Sequence, residues 1–350
     1  ANDVQMIQEA HVGVGIRGLE GLQAANSADY SFGRFHFLEN LLLVHGRRNV
    51  RRIALVVNYS FYKNFCLVLC LFFHTFRTAF SGTPLYDSYL LMTFNLLFTG
   101  APILWMGTFD CDVSEVCCRN VPSLYRLGQT KQYLNAGIFF MWICRGILHA
   151  SLIYFGGVQA LQPLFTQEGR QPDFLVTGSW AYGAVVFVVN VKLLLSVATL
   201  DTIGIGIVAL SCFFFIPVMI SYSGLGMSSM NPQPAMWGVS QFLFSSPSAW
   251  LGWMLVCAAC AFPDLSVLAW SRRENPDAVE IFQEAEKKGD QPTWDLPRKP
   301  KPRPHALRLA NGDLVVSPQA AGPGGSLAVV PEGSADFSER DVVQRSRWGR

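Results

Sequence analysis

Two long apolar stretches, residues 53–76 and 86–109, stand out in the pattern of hydrophobic and polar positions along the chain. An α-helix rises about 1.5 Å per residue, so each stretch is long enough to cross a hydrocarbon core of about 30 Å. The polar hairpin between them predicts an antiparallel pair of membrane helices. Later apolar stretches extend the pattern to six predicted spans, at residues 132–156, 178–200, 203–223 and 242–268.

The composition agrees with a polytopic membrane protein. Of the 350 residues, 51% are hydrophobic and only 15% are charged, which is unusual for a water-soluble domain. The nine cysteines lie in the apolar stretches or in the loop after the second one. Cys257 and Cys260 have the spacing of a redox or metal motif, but they sit in an apolar helix, so we interpret them as small buried hydrophobes.

Positive charges predict the side of the membrane on which each loop lies, because cytoplasmic loops carry an excess of Lys and Arg. Basic residues precede the first span, follow the second and close the sixth. Both ends of the chain are therefore predicted to be cytosolic. The basic residues in question are Arg47, Arg48, Arg51 and Arg52, then Arg119, Arg126 and Lys131, and finally Arg272 and Arg273.

Lys63, Asn64 and Asn95 lie near the middle of the first two predicted spans. A lysine at that depth costs about 2.5–3.5 kcal/mol on insertion scales, and such residues usually face a bundle interior or a wet pathway. We interpret the three residues as part of a substrate pathway or its wall. The alternative is that the amides only bridge helices, which is worth about 0.6 kcal/mol per bond.

Pro102 lies inside the second span, close to Thr99 and Gly100. A proline has no N–H to donate, so the carbonyl of Phe98, four residues earlier, loses its helical partner. The sequence therefore predicts a kink beside Thr99, where the helix can flex and gate a pathway.

Neither of the first two spans carries a carboxylate in its interior, since Asp87 and Asp110 stand at the two ends of the second span. Hard divalent cations require several carboxylate oxygens. A cation-pumping site is therefore disfavoured, and a zwitterionic or bulky substrate remains possible. Polar residues of the later spans are interpreted as helix packing in preference to substrate contacts, namely Arg145, His149, Asn190 and Lys192.

The segments on either side of the predicted membrane domain, residues 46–270, differ in kind. Residues 1–45 are typical of the end of an α/β domain, with a helix, a buried strand and a second short helix. Gly13, Gly15 and Gly18 match the spacing of a dinucleotide fingerprint, but they lie within and after the strand, so we reject that interpretation. Residues 271–350 are rich in Pro, Gly and charge, which predicts a mostly disordered tail with a short helix at 277–288.

Five motifs occur in order along the first part of the chain: AND at 1–3, SFYKN at 60–64, LYDSYLLMTFN at 85–95, GTFDCDV at 107–113 and PSLYRLGQ at 122–129. The first is similar to the end of a GDGAND motif. Together they resemble the lipid flippases, the phospholipid-translocating branch of the P-type ATPases. By this resemblance the spans are the fifth to tenth of ten, and the chain is a mainly α membrane bundle that follows the end of a phosphorylation domain.

The resemblance implies a translocase that moves aminophospholipids from the outer to the cytoplasmic leaflet at the expense of ATP. Lys63, Asn64 and Asn95 carry over as residues implicated in lipid handling or coupling. Thr99 and Pro102 belong to the same signature in the second span. A lipid pathway is therefore predicted at these five positions.

The resemblance also implies ATP and Mg²⁺ as cofactors. Asn2 and Asp3 carry over as residues of the ATP site, and Asp3 as a Mg²⁺ ligand. The aspartate that the family phosphorylates, in a DKTGT motif, does not occur in these residues, so this chain alone is expected not to hydrolyse ATP. The alternative function is a non-catalytic membrane scaffold or binding subunit from a truncated gene.

The partners and location also follow from the resemblance. Most of the family pairs with a glycosylated accessory beta subunit at the outer loops, so we expect that partner and a phospholipid substrate, and no nucleic acid. We expect an integral protein of Golgi, endosomal or plasma membranes.

Overall fold

The computed structural model of the protein describes residues 3–18, 22–159, 173–224 and 236–288, with three short strands near the C-terminus. The chain is mainly helical, as predicted. Within the described residues, six helices are long and apolar enough to cross a membrane, which confirms the predicted number. These first to sixth spans are Phe37–Arg77, Ser88–Phe109, Ala136–Val158, Phe174–Ser196, Thr202–Gly224 and Pro247–Glu274.

A small α/β arrangement precedes the first span. Helix α1 (Asp3–Glu9), strand β1 (Val14–Ile16) and helix α2 (Gln23–Asn26) occur in the predicted order, and strand β2 (Tyr30–Phe32) follows. β1 and β2 pair in parallel. The sequence did not predict β2, because three residues are too few for a pattern of alternation. That this segment ends a phosphorylation domain stays a prediction.

The first span is one long helix. It consists of α3 (Phe37–Asn40), a π-helical segment (Leu41–Gly46) and α4 (Arg47–Arg77). It begins well before the predicted residue 53. The backbone continues as helix through the arginines because their side chains find partners on the chain after the second span.

The second span is interrupted. It consists of α5 (Ser88–Thr93), a π-helical segment (Phe94–Phe98) and α6 (Gly100–Phe109). Asp87 begins it as the N-cap, since its Oδ1 accepts the N–H of Tyr89 at 2.9 Å. A carboxylate is favourable there because the first N–H groups of a helix have no internal acceptor.

Short helices connect the second span to the third. They are α7 (Glu115–Asn120), a 3₁₀ turn (Pro122–Tyr125) and α8 (Arg126–Gln129). The third span is α9 (Ala136–Ser151), extended by a π-helical segment (Leu152–Gln159). Asn135 caps it, with Oδ1 accepting the N–H of Ile138 at 2.8 Å.

The fourth span, α10 (Phe174–Ser196), starts and ends about four residues before its predicted bounds of 178–200. Asp173 caps its first turn, accepting the N–H of Phe174 at 2.7 Å. After its last turn the chain is extended, and the N–H groups of Ala198 and Thr199 donate to Asp110 Oδ1 at 3.0 and 3.4 Å. Caps and a tertiary contact set these bounds, so hydropathy alone did not find them.

The fifth span is α11 (Thr202–Gly224), and the short helix α12 (Val239–Ser245) precedes the sixth, α13 (Pro247–Glu274). The sequence predicts one helix from 242 to 268. The structure starts a new helix at Pro247, because proline fits the first turn of a helix and disrupts an interior.

Helix α14 (Ala278–Lys288) follows the sixth span where the sequence predicts a short helix. Its Glu284 and Lys288 pair at 2.6 Å, one turn apart. Near the C-terminus, in a separate unit of the chain, the described strands β3 (Ala306–Arg308), β4 (Leu314–Val316) and β5 (Val329–Val330) form an antiparallel sheet. The remaining residues of the predicted disordered tail lie outside the described residues.

The bundle is built around the fourth span, of which 78% is buried, against 28% of the fifth and sixth. Glycines let neighbouring helices approach it and one another closely. Gly183 faces the rings of Phe215 and Trp253. Gly204, in the fifth span, lies directly against the ring of Trp105 in the second.

A clamp of charged residues joins the first span to the segment after the second. Arg47 makes a paired contact with Asp112, Nη1–Oδ1 at 2.9 Å and Nη2–Oδ2 at 2.5 Å, and both residues are buried. Arg51 pairs with Asp110. Burial opposes ionisation of Asp112, but the hydrogen bonds and charge of Arg47 outweigh it, so the pKa of Asp112 is lowered.

Gly204→Ala is expected to destabilise the bundle, because the added methyl group would overlap the ring of Trp105. Overpacking of this kind costs about 1–3 kcal/mol. Gly206→Ala, in the same helix, is the matched control, since a Cβ there meets nothing within 4 Å. Thermal unfolding in detergent should separate the two variants, and equal melting temperatures would contradict the close contact of Gly204 with Trp105.

Asp112→Asn is expected to lower the free energy of unfolding by about 3–5 kcal/mol, because it leaves the buried Arg47 without its counter-ion. Glu115→Gln is the control, since that carboxylate is 55% exposed and lies 3.6 Å from Arg48. The pKa of Asp112 is lowered in the folded protein. The ionised carboxylate therefore contributes its full stabilisation above the ordinary aspartate pKa of about 4, and this stabilisation is lost as the pH falls through the lower pKa of the folded state. The variant should therefore lose less stability than the wild type below about pH 4.

Candidate functional site at the break in the second span

The second span breaks at Thr99, three residues before Pro102. Thr99 has φ −132° and ψ −6°, which lies outside the helical range, and the preceding turn is π-helical. Such turns often occur at functional sites. The interruption lies where the missing N–H of Pro102 predicts a kink.

Lys63 of the first span binds this break. Its Nζ donates to Thr99 Oγ1 at 2.7 Å and lies 5.9 Å from the centre of the Phe94 ring. The Thr99 hydroxyl in turn donates to the carbonyl of Phe94 at 3.0 Å. Lys63 is 5% exposed and forms none of the ion pairs found among the described residues. The structure thus brings Lys63 and Thr99 together beside the proline kink. The assignment of Lys63, Thr99 and Pro102 to a lipid pathway stays a prediction.

Asn190 of the fourth span meets the other side of the break. Its Nδ2 donates to the carbonyl of Phe98 at 3.1 Å and to the carbonyl of Val186 at 2.9 Å. The Phe98 carbonyl is the one that Pro102 leaves without a helical donor. From the sequence, Asn190 is expected only to pack between helices. Because Pro102 leaves the Phe98 carbonyl without a helical N–H donor, the sequence indicated that a donor from another helix was needed.

Asn64 and Asn95 do not join this contact. Both are exposed in the described bundle, and neither side chain makes a hydrogen bond with the described residues. They therefore do not bridge helices within this part of the chain. Their assignment to a lipid pathway stays a prediction.

The predicted ATP and Mg²⁺ residues lie at the edge of the described residues. Asn2 falls outside them, and Asp3 begins α1. Among the described residues, no group of three or more His, Cys, Asp or Glu side chains is placed to hold a metal ion. The assignment of Asn2 and Asp3 to ATP and Mg²⁺ stays a prediction.

The sixth span has an interior carboxylate, Asp264, which the sequence argument from the first two spans did not consider. It lies inside the sixth span, 8% exposed, with Oδ2 at 2.7 Å from Lys192 Nζ and Oδ1 at 3.4 Å from Arg145 Nε. Its partners belong to two other helices, so its position in an apolar stretch did not reveal them. Two cations facing one carboxylate make a charge cluster that does not suit a divalent cation.

His149 links this cluster to the first span. Its Nε2 lies 3.7 Å from Asp264 Oδ2, and its Nδ1 lies 2.6 Å from the hydroxyl of Tyr62. Tyr62 is the residue next to Lys63 in the first span. The predicted packing role of Arg145, His149 and Lys192 agrees with these contacts.

Helix α14 returns toward the loop after the second span. Gln283 Nε2 donates to the carbonyl of Asp112 at 2.7 Å, and Ser114 Oγ donates to Glu286 at 2.6 Å. A cleft of about 850 Å³ lies beside α14. Leucines of the fourth and sixth spans and charged residues of α14 line it.

Comparison with known proteins agrees with the motifs. The family model for the C-terminal region of phospholipid-translocating P-type ATPases matches residues 25–277. A phospholipid-transporting ATPase of Saccharomyces cerevisiae, DRS2, is 34% identical over 297 residues, which cover 82% of this chain and 21% of that protein. Phospholipid-transporting ATPase IC of Homo sapiens is 31% identical over 290 residues, covering 82% of this chain and 23% of that protein.

A plant relative gives the same result. Probable phospholipid-transporting ATPase 5 of Arabidopsis thaliana is 33% identical over 297 residues, covering 81% of this chain and 23% of that protein. The chain thus spans between about a fifth and a quarter of the length of these relatives. The family model covers most of the membrane bundle, including the broken second span and its partners. The chain therefore belongs to the phospholipid-translocating P-type ATPases, as a C-terminal membrane region of that family.

Proposed function

We propose that this chain is the C-terminal membrane part of an ATP-driven flippase that moves aminophospholipids from the outer to the cytoplasmic leaflet. The observation that carries the proposal is the contact of Lys63 with the broken second span. It places a buried cation beside a flexible point of a membrane helix. Family membership supports phospholipid translocation as the reaction class. The aminophospholipid headgroup and the direction of its movement are proposals.

Lys63 has donor capacity to spare. An ammonium has three N–H donors, and the described contacts use one of them on Thr99. Lys63 forms no ion pair among the described residues, so no carboxylate there neutralises it, although the residue is buried. We propose that it attracts the phosphate of a lipid headgroup, while the kink at Pro102 lets the second span move as the lipid passes.

Asn64 and Asn95 complete the proposed pathway. Amides on an exposed face at mid-depth are costly in hydrocarbon, so a polar neighbour is expected there. In the complete protein this face would meet other spans or the lipid headgroup. Neutral amides suit a zwitterionic headgroup, since they accept from its ammonium and donate to its phosphate.

The energy source belongs to parts of the protein outside these residues. We propose that Asn2 contacts ATP and that Asp3 supplies one oxygen to Mg²⁺, with the other ligands contributed elsewhere. In the complete protein Mg²⁺, if held there, would supply charge neutralisation for a transferring phosphoryl group. Without the phosphorylated aspartate, the chain alone is proposed to be inactive.

The proposed orientation places both ends of the chain in the cytosol. The arginine clamp at the start of the first span and Arg272 at the end of the sixth would then lie on the same, cytoplasmic side. The connections on the opposite side are proposed to bind a glycosylated accessory subunit. We propose a Golgi, endosomal or plasma membrane location.

The first test is lipid uptake by the protein translated from the complete reading frame. Cells that express it with the accessory subunit should take up fluorescent phosphatidylserine or phosphatidylethanolamine faster than phosphatidylcholine, and only with ATP present. Residues 1–350 alone should neither hydrolyse ATP nor move lipid. Faster uptake of phosphatidylcholine would refute the headgroup proposal, and ATP hydrolysis by residues 1–350 would refute the proposed inactivity.

Lys63→Ala is expected to reduce lipid uptake by about tenfold to a hundredfold, because a hydrogen bond to a charged group is worth about 1.5–3 kcal/mol. Thr99→Val keeps the shape and removes the acceptor, so a smaller loss is expected. Asn95→Ala is also expected to impair uptake. Lys131→Ala, an exposed lysine outside the spans, is the control, and an equal loss in that variant would show that the effect is not local.

A further inference from the structure

The carbonyl of Phe98 lacks its helical hydrogen-bond donor inside the membrane. Pro102 cannot donate to it, and an unpaired backbone group in hydrocarbon is unfavourable. Among the described residues, Asn190 Nδ2 is the donor that it receives, at 3.1 Å. The repair therefore comes from the fourth span, the most buried helix of the bundle.

Asn190 is itself a costly residue at this position. It is fully buried, and its Oδ1 has no hydrogen-bond partner among the described residues. An apolar side chain would fill the same space without an unsatisfied oxygen. The NH₂ group of Asn190 is thus the part of the side chain that matters here, because it donates to the Phe98 carbonyl at the break.

The Phe98 carbonyl lies next to the Lys63 contact in the chain. Phe98 directly precedes Thr99, whose hydroxyl accepts from Lys63 and donates to the Phe94 carbonyl. Any rotation of the backbone at Phe98 displaces the Thr99 side chain. Asn190 holds one side of the break, and Lys63 occupies the other.

We propose that Asn190 is a positioning residue for lipid transport. By holding the Phe98 carbonyl, it keeps the break in the second span in the geometry that presents Thr99 to Lys63. This inference rests on the proposed function for its consequence in transport. Its structural part, the stabilisation of the break, stands independently.

The fourth span supplies a matched control. Tyr182 donates its hydroxyl to the carbonyl of Leu90 in the same second span, at 2.7 Å. The Leu90 carbonyl also accepts the N–H of Phe94 and the hydroxyl of Thr93. Tyr182→Phe therefore removes a contact between the same two helices and leaves no carbonyl without a donor.

The test compares Asn190→Leu with Tyr182→Phe and the wild type in the complete protein. Amide hydrogen exchange should be faster over residues 100–103 in the Leu variant only. The kcat of lipid-stimulated ATP hydrolysis should fall about tenfold in that variant, the effect of losing one hydrogen bond, while the KM for ATP stays unchanged. Asn190→Gln, which retains an amide donor, should recover part of the loss.

Each outcome decides one claim. Unchanged exchange at residues 100–103 in Asn190→Leu would overturn the proposal, whatever the transport result. An equal loss in Tyr182→Phe would overturn it as well, because general contact between the helices would then explain the effect. If the wild type shows no lipid-stimulated hydrolysis, the proposed function fails, and hydrogen exchange alone decides whether Asn190 stabilises the break.

Discussion

The absence of water in a bilayer core is the constraint from which the broken second span follows. Every backbone polar group there needs a partner within the protein. Pro102 removes one donor, and the chain compensates with a π-helical turn before Thr99 and an amide from another helix. The break is therefore stable only in a bundle that places Asn190 opposite Phe98. A local sequence feature and a long-range contact thus depend on each other.

Buried charges in this bundle also need partners within the protein. Arg47 and Lys192 have carboxylate partners, and Lys63 has none in the part of the chain that the structure describes. Arg47 is met by Asp112, and Lys192 by Asp264, each on a separate helix or loop. Such pairs add little net stability, because desolvation offsets their attraction, but breaking one is costly. They therefore favour one arrangement of the helices over others. Lys63 has a hydroxyl and a ring in place of a carboxylate, so no opposite charge among the described residues neutralises it.

The features that could be predicted from the sequence are those that depend on residues close together along the chain. The number of spans, the interruption near Pro102 and the helix at α14 all arise from local hydropathy, a missing N–H or side-chain spacing, and the structure has each of them. The pairing of Asn190 with Phe98 and of Lys192 with Asp264 joins residues far apart in sequence. No local pattern encodes those contacts. The C-terminal bound of the fourth span was predicted wrongly for the same reason, since the distant Asp110 binds the residues that follow this span.

Asn190 differs in burial and in hydrogen bonding from Asn64 and Asn95. All three are amides within membrane spans, yet Asn190 is fully buried and donates to the backbone, whereas the other two are exposed and make no hydrogen bond with the described residues. An amide that faces hydrocarbon without a partner costs free energy and returns none. The exposed face of the first two spans must therefore meet a polar group beyond these residues. A lipid headgroup or another span of the longer protein would satisfy that requirement, and the proposed role of Lys63 at the break depends on which of the two is present.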